Sequence, residues 1–301
     1  MKVQIKSESI PRVAVRQKIQ DYVDLLKPGI TTLVMVTALA GFYLGSGGFV
    51  NIALLIHTVL GTGLVAGGGG ALNHWLERDA DAKMQRTQNR PLPSGRMQEW
   101  EVILFGSAIS VTGLLYLFLF VNTLTTVLAA ISWISYVLIY TPLKKISPFA
   151  TLVGAIPGAL PPMGGWTAAT GQISYEAWIL FTILFMWQLP HFLAIAWICR
   201  QDYARGGFPM LTVLNNSRNL TGRQMMIYSA ALLVVSLIPY AIGLTGMIYF
   251  VGAFISGIIF LGINILVART TTNANAKRAL WASIVYLPVV LLLMMADMIV
   301  I

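Results

Sequence analysis

The chain has 301 residues, of which 57% are hydrophobic and only 10% are charged, and its formal net charge is +9. A soluble domain carries about 25% charged residues, so this composition excludes an ordinary soluble protein. The single cysteine, Cys199, excludes an internal disulfide and a metal site of the CxxC type.

Long apolar runs follow one another along the whole chain. Segments of about 20 apolar residues cross a bilayer as helices, and they tolerate Gly or Pro when neighbouring groups satisfy the freed backbone. We therefore predict an all-α polytopic membrane protein, a bundle of nine transmembrane helices forming a single membrane-embedded domain over residues 1–301. The predicted spans are 29–49, 51–76, 101–120, 122–140, 149–167, 176–199, 224–243, 246–268 and 279–299.

The basic residues all fall on one side of this predicted bundle. They lie in the N-terminal segment and in the loops near 78–96, 144–145, 200–223 and 269–278. The opposite connections, near 48–51, 120–123, 167–175 and 243–246, contain no Lys or Arg. This positive-inside bias predicts a cytoplasmic N-terminus, cytoplasmic active-site loops and a C-terminus outside the cell. It also explains the positive charge without a nucleic-acid partner, and none is expected.

The first 28 residues are predicted to form a cytoplasmic amphipathic segment, with a helix over 12–26 that lies on the membrane face. This segment has no apolar core of the signal-peptide type and no transit-like pattern. Both features favour the cell (plasma) membrane over an organelle as the location of a multi-pass protein.

The end of the second predicted span concentrates polar side chains, in the stretch "NHWLERDADAKMQRTQNR" that begins at Asn73. Asn73, Glu77 and Asp81 are spaced i, i+4 and i+8 and therefore share one helix face. Such a column of oxygen-bearing side chains suits Mg²⁺, although a solvated helix end is an alternative. The preceding run Gly67–Gly70 fits either helix packing or close approach of a ligand. His74 could contact the same site or a lipid headgroup.

Basic side chains lie close to this column in sequence or on the same side of the membrane. Arg86 and Arg90 follow it directly, and guanidinium groups fit phosphate oxygens. Acids followed by arginines predict a site for a metal-diphosphate. Lys144 and Lys145 in "YTPLKK", and Lys27 before the first span, fit the same site but are equally explained as membrane anchors.

The sixth predicted span contains the block "MWQLPHFLAIAWICRQDYARGGFPML". His191 and Asp202 would lie within about 20° of one face and about 16 Å apart if the helix continued unbroken. Asp202 and Arg200 would then stand at the cytoplasmic mouth, with His191 deep in the bilayer. An intramembrane His is costly without a partner or a function. With Trp187 one turn before it, His191 is either a hydrogen-bonded core residue or a ligand contact.

The pattern N-x-x-x-E-x-x-x-D followed by R-T-x-x-R-P-L resembles the first signature of the UbiA-type intramembrane prenyltransferases, which usually reads N-D-x-x-D-x-x-x-D. The blocks "YTPLKK", "PPMGGW" and "WQLPHF…DYARGGFPML" are similar to the branch of that family that farnesylates heme. The resemblance extends from about Lys27 to the last span. His74 replaces the common second Asp, and only Asp202 remains of the second acidic motif.

The resemblance implies the UbiA-type fold and Mg²⁺-dependent transfer of a farnesyl group from farnesyl diphosphate to the 2-vinyl group of heme B, giving heme O and diphosphate. It implies that Tyr140 faces the allylic cation and that His191 and Trp187 contact heme. The implied catalytic and metal-binding residues are Asn73, Glu77, Asp81 and Asp202. The implied diphosphate-binding residues are Lys27, Arg86, Arg90, Lys144, Lys145 and Arg200.

The expected partners are therefore farnesyl diphosphate, heme B and the lipid bilayer, with heme A synthase as a candidate for product hand-off. Two other functions stay open at this point. A prenyltransferase for an aromatic quinone precursor would use the same metal-diphosphate chemistry with another acceptor. A secondary transporter would also show broken helices and intramembrane polar residues, although its binding groups usually lie near the bilayer midplane.

Overall fold

Helices build most of the described chain. A computed structural model describes the backbone of residues 9–214 and 217–299, and the side chains of residues 15–214 and 220–299. The helices are α1 (Ser9–Leu25), α2 (Pro28–Gly45), α3 (Ile52–Asp81), α4 (Glu99–Phe120), α5 (Thr123–Ile134), α6 (Thr141–Leu143), α7 (Ala150–Thr170), α8 (Tyr175–Ile198), α9 (Arg200–Arg205), α10 (Ser217–Val235), α11 (Ile238–Ala241), α12 (Met247–Arg269) and α13 (Asn273–Ala296). A π-helical segment, Ser135–Tyr140, joins α5 to α6.

Eight helical stretches within the described residues are long and apolar enough to cross a membrane. They match eight of the nine predicted spans, with α5, the π-helical segment and α6 forming one, and α10 with α11 forming another. The remaining prediction, 149–167, corresponds to α7, a 21-residue helix. Helix α7 is not among those eight, and glycines together with Pro157, Pro161 and Pro162 interrupt its apolar sequence. The all-helical fold is confirmed, with nine as an approximate number of spans.

Helix α3 is longer than its predicted span. It begins after Asn51, whose side chain accepts a hydrogen bond from the Leu54 N–H at 3.1 Å, and it continues for 30 residues to Asp81. At 1.5 Å per residue it is about 45 Å long, which exceeds the hydrocarbon thickness of about 30 Å. The last turns of α3, which carry Glu77 and Asp81, can therefore extend beyond the hydrocarbon while remaining helical.

Helices α2 and α7 cross closely. A Cβ atom on Gly41 would overlap the carbonyl oxygen of Pro162, and one on Gly165 would overlap that of Ala38. Small residues allow backbones to approach in this way. The glycine run of α3 also serves packing, since a Cβ on Gly68 would overlap Ser110 of α4.

Helix α1 agrees with the predicted amphipathic helix over 12–26, whereas residues 1–8 of the predicted segment lie outside the described residues. One side of α1 is held by the buried Asp21, which pairs with Arg96 at 2.9 Å, and by Tyr22, which packs on Phe105 at 4.8 Å. The other side exposes three apolar side chains at four-residue spacing: Val15, Ile19 and Val23.

Candidate active site

The basic segments of the chain meet at one end of the helix bundle, as predicted. Side-chain contacts link the N-terminal helix, the loop after α3, the end of α6, helix α9 and the start of α13. These contacts are Arg96–Asp21, Lys144–Glu77, Gln85–Asp202 and Arg200–Asn273. Residues far apart in sequence therefore form a single polar region.

The predicted column on α3 lies at the centre of this region. Asn73, Glu77 and Asp81 are only 2%, 3% and 0% exposed, although two of them are acids. The alternative of a solvated helix end is therefore wrong. Asp79, between them in sequence, is 76% exposed and points away. Buried carboxylates require partners, and the site supplies cations.

Lys27 reaches the column from the junction of α1 and α2. Its Nζ donates to Asn73 Oδ1 and, at 3.2 Å, to the hydroxyl of Tyr136, while Asn73 Nδ2 donates to Thr141 Oγ1 at 2.9 Å. The position of Lys27 is therefore explained by its contact with the site and not by membrane anchoring alone. Burial lowers the pKa of Lys27 to about 7, although the Glu77 carboxylate opposes the change.

Lys144 pairs with the second member of the column. Its Nζ donates to both carboxylate oxygens of Glu77, at 3.1 and 3.3 Å, and lies over the rings of Tyr203 and Phe208 at 5.6 and 4.6 Å. Burial favours the neutral amine, but the Tyr140 oxygen and the Glu77 carboxylate outweigh it and raise the pKa of Lys144. Its ammonium group is therefore charged and held by aromatic faces as well as by an acid.

Asp81 is only partly satisfied. Its Oδ2 accepts from Arg90 at 2.6 Å, whereas its buried Oδ1 has no hydrogen-bond partner among the described residues. The neighbouring His74 is 3% exposed, and neither ring nitrogen has a partner in the described part of the chain. His74 is thus not a headgroup contact. Unpaired buried polar atoms cost free energy, so these atoms are candidates to bind a polar ligand.

Asp202 joins the region from another helix, but by a different path from the predicted one. Helix α8 ends at Ile198 and α9 begins at Arg200, so the unbroken helix assumed for the spacing of His191 and Asp202 does not exist. The Oδ1 of Asp202 accepts from the main-chain N–H of Gln85 at 3.1 Å, and Arg205 lies 3.6 Å away.

These carboxylates do not form a complete metal site by themselves. In the described residues, no group of three His, Cys, Asp or Glu side chains is arranged to hold a metal ion. The donor set nevertheless fits Mg²⁺, because that ion commonly binds one or two carboxylates together with substrate phosphates. The unpaired Oδ1 of Asp81 provides such a donor.

The other three residues predicted to bind phosphate do not pair with Glu77 or Asp81. Arg86 is exposed, and Lys145 is exposed with its Nζ donating to the Leu76 carbonyl at 2.7 Å. Arg200 is not brought to the column. It donates to Asn273 at 2.7 Å and stacks 4.7 Å from the Trp197 ring, because the break after α8 turns it toward the start of α13.

Tyr140 lies beside the site at the end of the π-helical segment. Its ring stacks on Tyr136 with centroids 5.8 Å apart, and Lys144 Nζ lies 6.0 Å from its centroid. Gly154 of α7 leaves the space that the Tyr140 ring occupies. The sequence motifs predicted no role for Tyr136 or Thr141, although Tyr136 lies one turn before Tyr140. π-helical segments often occur at functional sites because they shift side chains out of α-helical register.

His191 is half-buried in α8 and contacts α13. Its Nδ1 lies 2.7 Å from Ser283 Oγ, and its ring stacks on Trp187 with centroids 5.0 Å apart. Trp187 Nε1 donates to the Ser283 carbonyl at 2.8 Å. The predicted hydrogen-bonded histidine is therefore present, and the predicted heme contact stays a prediction. Ser283 had no sequence signal beyond being a polar residue in an apolar span.

Comparisons with known proteins identify the class. Residues 34–287 match the model of the UbiA prenyltransferase family, and the chain belongs to that family. Its fold is similar to that of a digeranylgeranylglyceryl phosphate synthase, with a TM-score of 0.79, 17% identity and coverage of 93% of this chain and 98% of the other. A UbiA homologue from Archaeoglobus fulgidus, solved with GPP and Mg²⁺, gives a TM-score of 0.63 at 14% identity, covering 91% and 99%.

A narrower relationship comes from the sequence. A protoheme IX farnesyltransferase from Solibacter usitatus is 43% identical over 287 residues, which cover 92% of this chain and 98% of the relative. Further relatives at 37–44% identity carry the same name.

Proposed function

We propose that this protein transfers the farnesyl group of farnesyl diphosphate to the 2-vinyl group of heme B, with addition of water, to give heme O and diphosphate. The family match and the naming of its relatives support this reaction. The observation that carries the proposal is the buried column of Asn73, Glu77 and Asp81, each bonded to a different cation. A metal-diphosphate needs both kinds of group at one place.

The chain would bind the leaving group through its basic residues. As the allylic C–O bond breaks, negative charge develops on the diphosphate, and prepositioned N–H donors stabilise it. Lys144 is a buried donor of the site, Lys27 and Arg90 are half-buried donors, and Arg86 and Lys145 stand exposed. Arg200 would have to leave Asn273 to contribute.

Mg²⁺ would be held by oxygens of Asn73, Glu77, Asp81 and Asp202 together with diphosphate oxygens. When bound, it supplies Lewis-acid stabilisation of the leaving group. The homologue solved with GPP and Mg²⁺ supports this requirement. The protein's own carboxylates would exchange partners on binding, since Glu77 and Asp81 now pair with Lys144 and Arg90.

The apolar interior would protect the reacting farnesyl fragment from water. Tyr140, stacked on Tyr136 next to Lys144, is proposed to face the allylic cation with its ring. His191 and Trp187, which lie on α8 before the break that leads to Asp202, are proposed to contact heme B. Heme A synthase, which would consume the product, is a proposed recipient.

The site is proposed to open to the cytoplasm, in a single domain of the plasma membrane with its N-terminal helix on the inner surface. The one-sided distribution of Lys and Arg supports this orientation. The exposed stripe of Val15, Ile19 and Val23 supports contact of α1 with the lipid boundary.

The test is an assay of the detergent-purified protein with farnesyl diphosphate and heme B, with Mg²⁺ or with EDTA. We expect heme O only with Mg²⁺, and a rate on the order of 100-fold lower for Asp81→Asn, because the carboxylate that would hold Mg²⁺ and that pairs with Arg90 is lost. Asp79→Asn is the matched control, since its side chain is exposed, and it should keep the wild-type rate. Prenylation of an aromatic acid in place of heme, or full activity in EDTA, would contradict the proposal.

A further inference from the structure

Ser283 of α13 contacts two aromatic rings of α8, those of Trp187 and His191. It is fully buried on α13, and its Oγ lies 2.7 Å from His191 Nδ1. Its carbonyl oxygen accepts from Trp187 Nε1 at 2.8 Å. Trp187 also stacks on the imidazole at an interplanar angle of 24°. One residue of α13 therefore contacts both rings.

The hydrogen bonds of Ser283 determine the direction of the contact with His191. The hydroxyl has one proton, and its Oγ lies 2.6 Å from the Leu280 carbonyl, which can only accept. Toward His191 the same hydroxyl must therefore act as acceptor, so the proton of the imidazole is on Nδ1. In the neutral ring this leaves the lone pair on Nε2. No described residue forms a hydrogen bond with Nε2.

We propose that Ser283 is a positioning residue that holds His191 in the Nδ1–H tautomer, so that Nε2 binds the iron of heme B as an axial ligand. The inference rests on the proposed function and deepens it. Histidines that bind metals usually donate their other ring N–H to a fixed acceptor, which sets ring orientation and tautomer. The site would then recognise the iron of a metalloporphyrin that has an open axial position. This recognition would add to the contacts that the site makes with the porphyrin ring.

The experiment compares heme B with metal-free protoporphyrin IX, both titrated into the full-length protein in detergent. Optical and EPR spectra report the iron ligand, and farnesyl diphosphate binding reports the integrity of the other site. The variants are His191→Ala, Ser283→Ala and Ser283→Thr. Ser229→Ala is the matched control, because Ser229 is also buried and donates to the carbonyl three residues earlier, at 2.9 Å.

We expect Ser283→Ala to weaken heme B binding about 10–100-fold and to change the iron spectrum, as loss of such an outer contact commonly does. Ser283→Thr should restore both, and Ser229→Ala should change neither. His191→Ala should remove the nitrogen-ligand spectrum. Protoporphyrin IX and farnesyl diphosphate binding should remain at wild-type levels throughout. A purely structural serine would affect heme B and protoporphyrin IX equally, and that outcome would overturn the inference.

Two further results separate the possible failures. If the wild type makes heme O while Ser283→Ala keeps wild-type heme affinity and spectrum, the inference is wrong and the proposed function stands. If the wild type neither binds heme B nor makes heme O, both are wrong. If Ser283→Ala does not fold, the tautomer of His191 can be determined by ¹⁵N NMR of the wild-type protein labelled at histidine. The His191→Ala variant assigns the signal. An Nε2–H tautomer would contradict the inference.

Discussion

Lys27 connects the backbone between α1 and α2 to the acidic column of α3. Its φ of +50° is the only positive value at a non-glycine position among the described residues, and such a conformation costs about 1–2 kcal/mol. Backbone strain of this kind persists where surrounding contacts hold it, often at functional sites. Here the contacts are the bonds of its ammonium group to Asn73 and Tyr136.

The pKa of Lys27, lowered by burial to about 7, predicts a pH effect on substrate binding. In the free protein the amine is charged at pH 6 and mostly neutral at pH 8, whereas bound diphosphate favours the charged form. Binding then takes up a proton, and affinity should fall as pH rises above 7, by up to about tenfold per unit. The measurement is the Kd for farnesyl diphosphate between pH 6 and 9.

Lys27→Arg is the control for this prediction, because its guanidinium stays charged over the whole range. The titration of the ligand is common to both proteins and cancels in the comparison. The wild-type affinity should fall more steeply than that of the variant, by close to one proton. Parallel curves would show that Lys27 does not titrate in this range.

At the scale of helices, the contact of α2 with α7 depends on the absence of side chains. A Cβ on Gly165 would meet the backbone of Ala38 and Phe42, and backbone cannot move as a flexible side chain can. Gly165→Ala should therefore lower the thermal midpoint of the purified protein, at a cost of about 1–3 kcal/mol or more. The adjacent Gly164 has open space around its Cβ position, so Gly164→Ala should leave the midpoint unchanged or slightly raised. Equal midpoints for the two variants would refute the close crossing.

At the scale of the whole molecule, the clustering of basic loops predicts which end faces the cytoplasm. In a Cys199→Ser background, a single cysteine placed by Ser94→Cys would lie in an exposed loop at the basic end. One placed by Gln172→Cys would lie in an exposed loop at the opposite end. A membrane-impermeant thiol reagent added to intact cells should label only the second. Labelling of the first would reverse the proposed orientation.

Much of the architecture was predictable because it depends on local patterns. Apolar length indicates a span, and eight of the nine predicted spans meet the requirements of length and composition. Helical periodicity placed Asn73, Glu77 and Asp81 on one face, and all three are buried there. The one-sided basic loops likewise meet at one end. Each of these features needs only the spacing of residues close together in the chain.

The pairing of groups across the site was decided by the tertiary structure. Lys27 and Asn73 are 46 residues apart, and His191 and Ser283 are 92 apart, so no local pattern links them. Arg200 and Asn273, which meet beyond the break after α8, are likewise 73 residues apart. Hydropathy and periodicity describe one helix at a time, whereas the partners of a buried charge or imidazole are determined by which helices lie beside it.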